Sequence, residues 1–395
     1  MSQRQVVLVG GVRTAIGDYG GTLKDFAPTA LAASVVREAL ARTKVDPATI
    51  GQCVFGSVIH TEPKDMYLAR VAAVDGGLPV TSGALTLNRL CGSGLQAIVS
   101  ASQYILLGDI DAAIGGGAES MSRAAYIDPA QRWGARMGDT KMLDMMAGAL
   151  SDPFESMHMG VTAENVAQKC GISREQQDAF AVESHRRAAA AHAAGHFTSQ
   201  ILPIEIKSRK GVTQFATDEH VRSDASADGM AKLKAVFVKE NGTVTAGNAS
   251  GLNDAAAAVV LMEEGAAQRA GATPMARLVS YGHAGVEPRL MGLGPVTAVK
   301  NALAKARLSL ADIDIIESNE AFAAQALGVN KELGLDAAKV NPNGGAVALG
   351  HPIGATGCIL TVKAMYELQR TGKRYALITM CIGGGQGIAA IIERL

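Results

Sequence analysis

The strongest constraint on the fold is that the chain carries one helix–strand pattern twice. Val36-Arg-Glu-Ala-Leu-Ala-Arg-Thr-Lys-Val-Asp-Pro-Ala-Thr-Ile50 aligns without a gap on Val299-Lys-Asn-Ala-Leu-Ala-Lys-Ala-Arg-Leu-Ser-Leu-Ala-Asp-Ile313, with six of fifteen positions identical. Each copy reads as an amphipathic helix, a short loop and an apolar strand, Cys53–Phe55 in one and Ile313–Ile316 in the other. A second match follows in the same order: Ile114-Gly-Gly-Gly-Ala-Glu119 is similar to Ile382-Gly-Gly-Gly-Gln-Gly387. Each is preceded by a Gly-rich turn and an apolar helix, about Ser93–Leu107 and Ala355–Gln369. A duplicated α/β half accounts for both matches. Between the copies, roughly Met121–Thr245, the texture changes. That stretch holds the single Trp133, a Met-rich run Met142–Met159, a helical stretch Ser173–Gly195, and charged loops and short strands such as Ile201–Lys210 and Asp218–Asp224. It is expected to be an inserted lid or oligomer-contact domain. The expected division is an N-terminal half, 1–120, completed by about 245–272, an inserted domain, 121–244, and a C-terminal half, 273–395.

Charged residues are only 19% of the chain, apolar ones 48%, and 45 of 395 residues are glycine. Such a composition suits a heavily buried α/β protein and excludes disorder. Lys plus Arg equals Asp plus Glu at 37 each, so no cationic surplus exists to neutralise a nucleic-acid backbone. At 4% aromatic, the chain also lacks base-stacking platforms. Five cysteines without a CxxC pair suggest neither a disulfide framework nor a zinc cluster. With no signal-peptide layout before the apolar strand Val6–Val9, a reducing cytoplasm is the expected setting. Two long uncharged stretches are no better as membrane spans. Leu90–Gly108 carries Ser93, Gln96, Ser100, Ser102 and Gln103, and Asn341–Val362 is broken by Gly and Pro.

Four segments carry chemistry. Asn88-Arg-Leu-Cys91-Gly-Ser-Gly follows the apolar stretch Ala84–Leu87 and opens a helix, which places Cys91 on a sharp turn at a helix N-terminus. Unpaired N–H groups and the helix dipole there are expected to lower the thiol pKa; the alternative is a packed core cysteine. Asn341-Pro-Asn-Gly-Gly-Ala-Val-Ala-Leu-Gly-His351-Pro-Ile-Gly-Ala-Thr-Gly357 sets one histidine in a rigid loop before a helix, where an imidazole either faces a cleft or serves the fold. In Met380-Cys381-Ile-Gly-Gly-Gly-Gln-Gly387 a strand ends in glycines whose N–H groups can converge, as an oxyanion hole requires. No Lys-Ser/Thr follows, so it is a poor phosphate loop. Ser318-Asn-Glu-Ala-Phe322 ends the strand Ile313–Ile316, at the carboxyl edge where parallel α/β sheets meet ligands. Two cysteines, one histidine and an Asn–Glu pair point to covalent acyl chemistry. Cys91 is the candidate nucleophile, His351 its base and Cys381 a second acid/base.

Leu90-Cys91-Gly-Ser-Gly, Asn319-Glu-Ala-Phe, Gly350-His351-Pro-Ile-Gly-Ala-Thr-Gly and Cys381-Ile-Gly-Gly-Gly-Gln-Gly together resemble the signatures of the thiolases. The resemblance covers essentially the whole chain, including His158-Met-Gly and Thr245-Ala-Gly-Asn-Ala-Ser-Gly251 in the insertion. In kind it is nearest to bacterial acetyl-CoA acetyltransferases, in particular the broad-specificity β-ketothiolases of polyhydroxyalkanoate producers. It implies a five-layer αβαβα fold of two duplicated α/β/α halves plus a loop domain. It implies reversible condensation of two acetyl-CoA to acetoacetyl-CoA and CoA, or thiolysis of short 3-ketoacyl-CoA. No metal, nucleotide or flavin cofactor is implied; coenzyme A thioesters are substrates, and no nucleic acid or membrane partner is expected.

The resemblance further implies that Cys91 is acylated, that His351 withdraws its proton, and that Cys381 moves the α-carbon proton of the second acyl-CoA. One oxyanion hole would be His351 with a water held by Asn319, the other the backbone N–H groups of Cys91 and Gly383. Arg222 and Ser250 match positions that touch the pantetheine and phosphate parts of coenzyme A. His158, Met159, Met291, Ala321 and Phe322 would line the acyl pocket. Met121–Lys141 resembles the family's tetramerisation loop, so a homotetramer is expected, with a dimer as the alternative.

The alternative function is that of a degradative 3-ketoacyl-CoA thiolase acting on longer chains in fatty-acid β-oxidation. The nearest enzyme rival is a ketosynthase, which would want a second histidine where Asn319 stands and lacks the late Cys381. A non-catalytic acyl-CoA-binding protein on the same scaffold could dispense with Cys91 or His351, and both are present. Cys53, Cys170 and Cys358 read as core. His192 and His196 could share a helix face and bind a metal; for them and His185 a solvated face is the simpler expectation. The Met-rich run reads as plastic core.

Overall fold

In the computed structural model, which describes residues 4–209 and 211–395, the duplication appears as strand order. Residues 1–3, the start of the N-terminal half, and Lys210, the end of the run Ile201–Lys210, lie outside the described residues. The N-terminal copy contributes β1 (Val6–Thr14), β2 (Gln52–Gly56), β3 (Gly83–Leu87), β4 (Ala112–Ser120) and β5 (Asn253–Glu263). The C-terminal copy contributes β6 (Ala276–Gly285), β7 (Ile315–Ser318), β8 (Tyr375–Ile382) and β9 (Gln386–Arg394). These pair in the spatial order β7-β8-β9-β6-β1-β5-β4-β2-β3. The seam is the antiparallel pair β1–β6, through Val7↔Arg277 and Leu8↔Ala276. Outward from it, both copies run first, fifth, fourth, second, third. The C-terminal third strand is reduced to the parallel bridge Ile316↔Val340.

The helices repeat as well. First strands lead into α1 (Pro28–Thr43) and α6 (Gly294–Ala306), second strands into α2 (Leu68–Asp75) and α7 (Ala323–Leu333), and third positions into α3 (Ser93–Leu107) and α8 (Thr356–Thr371). Helices α3 and α8 lie back to back between the two sheet halves, while α1 and α6 cover their outer faces, giving five layers. The contact between α3 and α8 is backbone to backbone. A Cβ on Gly94 would lie 2.8 Å from the Cys358 nitrogen, and one on Gly357 2.2 Å from the Leu95 nitrogen.

The physical meaning of the repeat is now visible. The shared Val36/Val299, Ala39/Ala302, Leu40/Leu303 and Ile50/Ile313 are all buried. Aligned Lys44 and Arg307 both close their helices in the left-handed conformation at φ 56°. Four of the six identical positions thus form the face that packs on the sheet, and the other two, Ala41/Ala304 and Ala48/Ala311, are exposed.

The glycine match corrects differently. Gly115, Gly116 and Gly117 lie inside β4, whereas Gly383, Gly384 and Gly385 form the turn between β8 and β9. In β4 the glycines permit close approach, a Cβ on Gly117 falling 2.2 Å from the Gly354 carbonyl oxygen. In the turn, Gly384 and Gly385 take φ of 79° and 82°. The two runs look alike and do different things. Strand β7 also begins two residues later than expected, because Leu310–Asp312 is a 3₁₀ turn.

Where β8 and β9 are joined by three glycines, β4 and β5 are joined by the long inserted segment. It carries a small hairpin (Tyr126–Ile127 with Leu143–Asp144), α4 (Met159–Cys170), α5 (Arg174–Ala193) and a second hairpin (Ile204–Ser208 with Gly211–Phe215). A buried pair, Arg13 to Asp218 at 2.7 Å, ties it to β1.

Candidate active site

The turn from β3 to α3 is stitched by its own side chains. Asn88 Oδ1 accepts the Leu90 N–H at 2.9 Å, and Ser93 Oγ accepts the Arg89 N–H at 2.8 Å and donates to the Leu90 carbonyl at 2.7 Å. Leu90 is held at φ 45°, a left-handed conformation that costs a non-glycine residue about 1–2 kcal/mol. The tight bend thrusts Cys91 forward, half-buried, one residue before the helix cap Gly92.

Sequence reasoning expected the helix end to lower the Cys91 pKa; burial decides otherwise and pushes the thiol up to about 11. Hydrogen bonds to the sulfur from the Gly383 N–H and from its own N–H pull the other way, and the nearby Glu119 carboxyl opposes them. At the helix start the Ser93 N–H is engaged on the Leu90 carbonyl at 2.9 Å, and the intrahelical ladder begins with the Gln96 N–H on the Gly92 carbonyl at 2.9 Å.

His351 comes from the other half, on the loop that enters α8. Gly350 before it sits at φ 106°, where a Cβ would lie 2.5 Å from the Asn253 side chain. Asn253 Oδ1 accepts the His351 backbone N–H at 2.8 Å. The imidazole tautomer follows from Thr356. Its hydroxyl donates to the Pro352 carbonyl at 2.9 Å, so at 2.7 Å it accepts from His351 Nδ1–H. Nε2 is left with its lone pair, and Asn319 Nδ2 approaches it at 3.4 Å. Burial holds the His351 pKa down at about 4, so at neutral pH the ring is neutral and can take a proton. Asn319 Oδ1 is buried with no protein partner among the described residues.

Cys381 lies one residue before the end of β8 and is buried; burial, then the neighbouring Cys91, push its thiol upward. A Cβ on Gly383, two residues on, would lie 3.2 Å from the Leu90 side chain and 3.5 Å from Met159 Sδ.

Cys91, His351 and Cys381 open on one cavity of about 520 Å³. Every binding residue named from the sequence lines it: Arg222, Ser250, His158, Met159, Met291, Ala321 and Phe322. His158 caps α4 by accepting the Gly160 N–H on Nδ1 at 3.0 Å, and its ring stacks on Phe237 at 4.6 Å. The Ser250 N–H donates to the Ala321 carbonyl at 3.0 Å, joining the insertion to the Asn319 loop. The Arg222 N–H donates to His185 Nδ1 at 3.1 Å.

Several wall residues escaped the sequence reading: Met121, Leu150, Phe237 and Ile353, and behind them Asn253 and Glu119. Ile353, Met121, Leu150 and Glu119 sit in segments singled out for other reasons, the His351 loop, Met121–Lys141, the Met-rich run and Ile114–Glu119, whereas Phe237 and Asn253 lie in none of the quoted motifs. The α5 histidines also differ from expectation. Each ring has a protein partner, and only His185 is buried, His192 and His196 being half-buried; His185 bonds Arg222, His192 lies 3.1 Å from Asp218, and His196, just past the helix, lies 2.9 Å from Asn343.

The N-terminal thiolase domain profile matches residues 6–265 and the C-terminal thiolase domain profile matches residues 272–394. The chain belongs to the thiolase family. It is 68% identical over 392 residues to Beta-ketothiolase BktB of Cupriavidus necator, covering 99% of this chain and 100% of that one. It is 50% identical to an acetyl-CoA acetyltransferase of Chromobacterium violaceum, with 99% and 100% covered. The crystal structure of human mitochondrial 3-ketoacyl-CoA thiolase in complex with CoA superposes with a TM-score of 0.96 at 45% identity, covering 100% of this chain and 98% of that one. The five-layer α/β architecture is thus the thiolase fold, and in this thiolase the four signature segments meet at one cavity.

Proposed function

We propose that the chain is an acyl-CoA:acyl-CoA C-acyltransferase that condenses two acetyl-CoA to acetoacetyl-CoA and CoA and, in reverse, cleaves short 3-ketoacyl-CoA. The observation that carries this is the meeting of Cys91, the lone-pair nitrogen of His351 and Cys381 on one cavity. His351 Nε2 takes the Cys91 proton, and the thiolate attacks the acetyl carbonyl. The oxyanion is assigned to the backbone N–H groups of Cys91 and Gly383, which flank the Cys91 sulfur. Coenzyme A leaves with a proton from Cys381, giving acetyl-Cys91, a Cys381 thiolate and a protonated His351. Acetylation removes the Cys91 charge that raises the Cys381 pKa, which eases that transfer. The Cys381 thiolate then takes an α-proton from the second acetyl-CoA, whose enolate oxygen is met by His351 Nε2–H and a water held by Asn319. The enolate carbon attacks the thioester, and Cys91 leaves and recovers its proton from His351. Protons and electron pairs balance over the cycle, with coenzyme A thioesters as substrates and no resident cofactor.

Arg222 and Ser250 are assigned to the pantetheine and phosphate parts of coenzyme A, and His158, Met159, Met291, Ala321 and Phe322 to the acyl pocket. Flexible methionines at that wall (Met121, Met146, Met159, Met291) support tolerance of acyl length. Added methylenes in such a pocket change discrimination by only about 1–3 kcal/mol each. The test is steady-state kcat/KM for thiolysis across four-carbon and longer 3-ketoacyl-CoAs. We expect a maximum at four or five carbons and a gradual decline; a maximum at long chains favours the degradative enzyme, and no turnover removes the assignment.

The same reading divides the chain into 1–120 completed by about 245–272, 121–244, and 273–395. A homotetramer is supported by the apolar side chains that the first hairpin segment exposes, Tyr126, Ile127, Trp133, Met137 and Leu143. Five free cysteines support a cytoplasmic setting. The apolar stretch Leu90–Leu107, which contains α3, lies between the two sheet halves, which supports a core role.

A further inference from the structure

One buried acid in the site region has no part in the acyl-transfer scheme. Glu119 lies one residue before the end of β4 in the N-terminal half and is completely covered. Its Oε2 accepts the Val58 N–H at 3.0 Å and the Gly354 N–H at 2.8 Å, and its Oε1 accepts the Ile59 N–H at 3.1 Å. Val58 and Ile59 follow β2, in the half that carries Cys91. Gly354 lies three residues after His351, in the loop of the other half. One carboxylate therefore binds both halves at the point where their loops meet. The fit leaves no slack: a Cβ on Gly354 would lie 2.6 Å from Glu119 Oε2, and one on Gly117 2.2 Å from the Gly354 carbonyl oxygen. Next to the clamp, Ile59, Met121 and Ile353 form a small apolar cluster against which Cys91 packs. Asn253 holds the same loop three residues earlier, at the His351 N–H. The loop is thus pinned on either side of the imidazole.

We propose that Glu119 is a positioning residue that fixes the His351 loop of one half against the Cys91 turn of the other. The proposal rests on the acyl-transfer roles given above to Cys91 and His351. A base misplaced by about an ångström loses on the order of 10²-fold in rate, so a clamp spanning the two halves belongs to the chemistry as well as to the fold. Three N–H donors favour the carboxylate, while burial and the carboxyl of Asp65 push its pKa up to about 8. The titratable groups it faces are Asp65 and Cys91, and once ionised, above about pH 8, its charge also holds the Cys91 thiol up. The clamp therefore has two separable effects. Its geometry serves His351, and its charge opposes the Cys91 thiolate.

Glu119→Gln keeps the shape, removes the charge and turns an N–H toward the donors. Glu119→Asp keeps the charge and shortens the reach. Both are compared with wild type by kcat and KM for acetoacetyl-CoA thiolysis and by the pH profile of Cys91 alkylation with iodoacetamide. For Glu119→Gln we expect kcat to fall by about 10²-fold with KM changed little, while the alkylation profile moves to lower pH. For Glu119→Asp we expect a similar loss of kcat with the alkylation profile near wild type. Unchanged kcat in both variants, or a fall in kcat that tracks lost thermal stability with the Glu119→Gln alkylation profile unmoved, overturns the proposal. So does failure of both to fold, which makes Glu119 a fold residue alone; if only Glu119→Gln fails, Glu119→Asp decides by its kcat. A wild-type enzyme that forms no acetyl-Cys91 sinks the acyl-transfer roles instead, a result the Glu119 variants cannot mimic.

Discussion

The two halves place their central-helix turns at equivalent points of equivalent topologies, yet each turn supplies a different tool. In the N-terminal half the turn before α3 carries Cys91, bent forward by Leu90 at φ 45°. In the C-terminal half the turn before α8 carries His351, its tautomer set by Thr356. The fourth strands differ in the same way: the last but one residue is Glu119, a clamp, in β4 and Cys381, a second thiol, in β8. Duplication supplied two copies of a scaffold whose loops converge across the α3–α8 contact, and divergence at the loop tips made one asymmetric site. What the copies share is the packing face, and what they do not share is the chemistry.

The comparison breaks most visibly if the halves are interchangeable, so the first prediction removes the C-terminal tool. His351→Ala should lower kcat/KM by about 10²–10⁴, the usual worth of a positioned acid/base. A loss under about tenfold in a folded variant would leave the N-terminal half self-sufficient. Next, Cys381→Ser should still acetylate Cys91 while losing most condensation and most exchange of acetyl-CoA α-protons with solvent deuterium, about 10²-fold or more. Normal exchange would take the proton-transfer role away from β8.

A third prediction separates burial from the helix end. With the Cys91 thiol at about 11, alkylation of the substrate-free enzyme by iodoacetamide should keep rising beyond pH 9. A plateau below pH 8 would show that the α3 terminus outweighs burial. For His351 the sign runs the other way. Burial lowers its folded pKa from 6.5 to about 4, so its contribution to stability is full above pH 6.5 and is lost as pH falls from there toward 4. Wild type should therefore lose roughly 1–3 kcal/mol more than His351→Gln over that range, read from denaturant midpoints. Parallel acid profiles would mean that the ring is charged in the folded state.

The smallest effect sharpens the likeness of the halves. Lys44→Gly and Arg307→Gly each relieve a left-handed non-glycine cap and should stabilise by about 0.5–1 kcal/mol, alike within a few tenths. Opposite signs would show that the two caps do different work.

The sequence disclosed the fold where a residue's burial leaves a periodic trace. Val36, Ala39 and Leu40 recur as Val299, Ala302 and Leu303 because a helix face must pack, so the duplication could be read. Glycine leaves no such trace. Gly115–Gly117 and Gly383–Gly385 look alike, and only the structure separates close packing within a strand from a turn with positive φ. The catalytic segments were legible because each loop is continuous and chemically unusual. Phe237, Asn253 and Glu119 were not, since each acts as a single residue brought in by tertiary packing. The Cys91 pKa was misjudged for a related reason: a helix end is visible in sequence, and the enclosure of a sulfur is not.

The central claim is that one half's Cys91 is acylated with the other half's His351 as its base. Incubating the enzyme with acetyl-CoA, quenching in acid and mapping the adduct by intact and peptide mass spectrometry tests it directly. The account predicts one acetyl group, on Cys91, formed quickly in wild type, slowly in His351→Ala and never in Cys91→Ala. An acetyl group that persists in Cys91→Ala, or that maps to Cys381 in wild type, would contradict it.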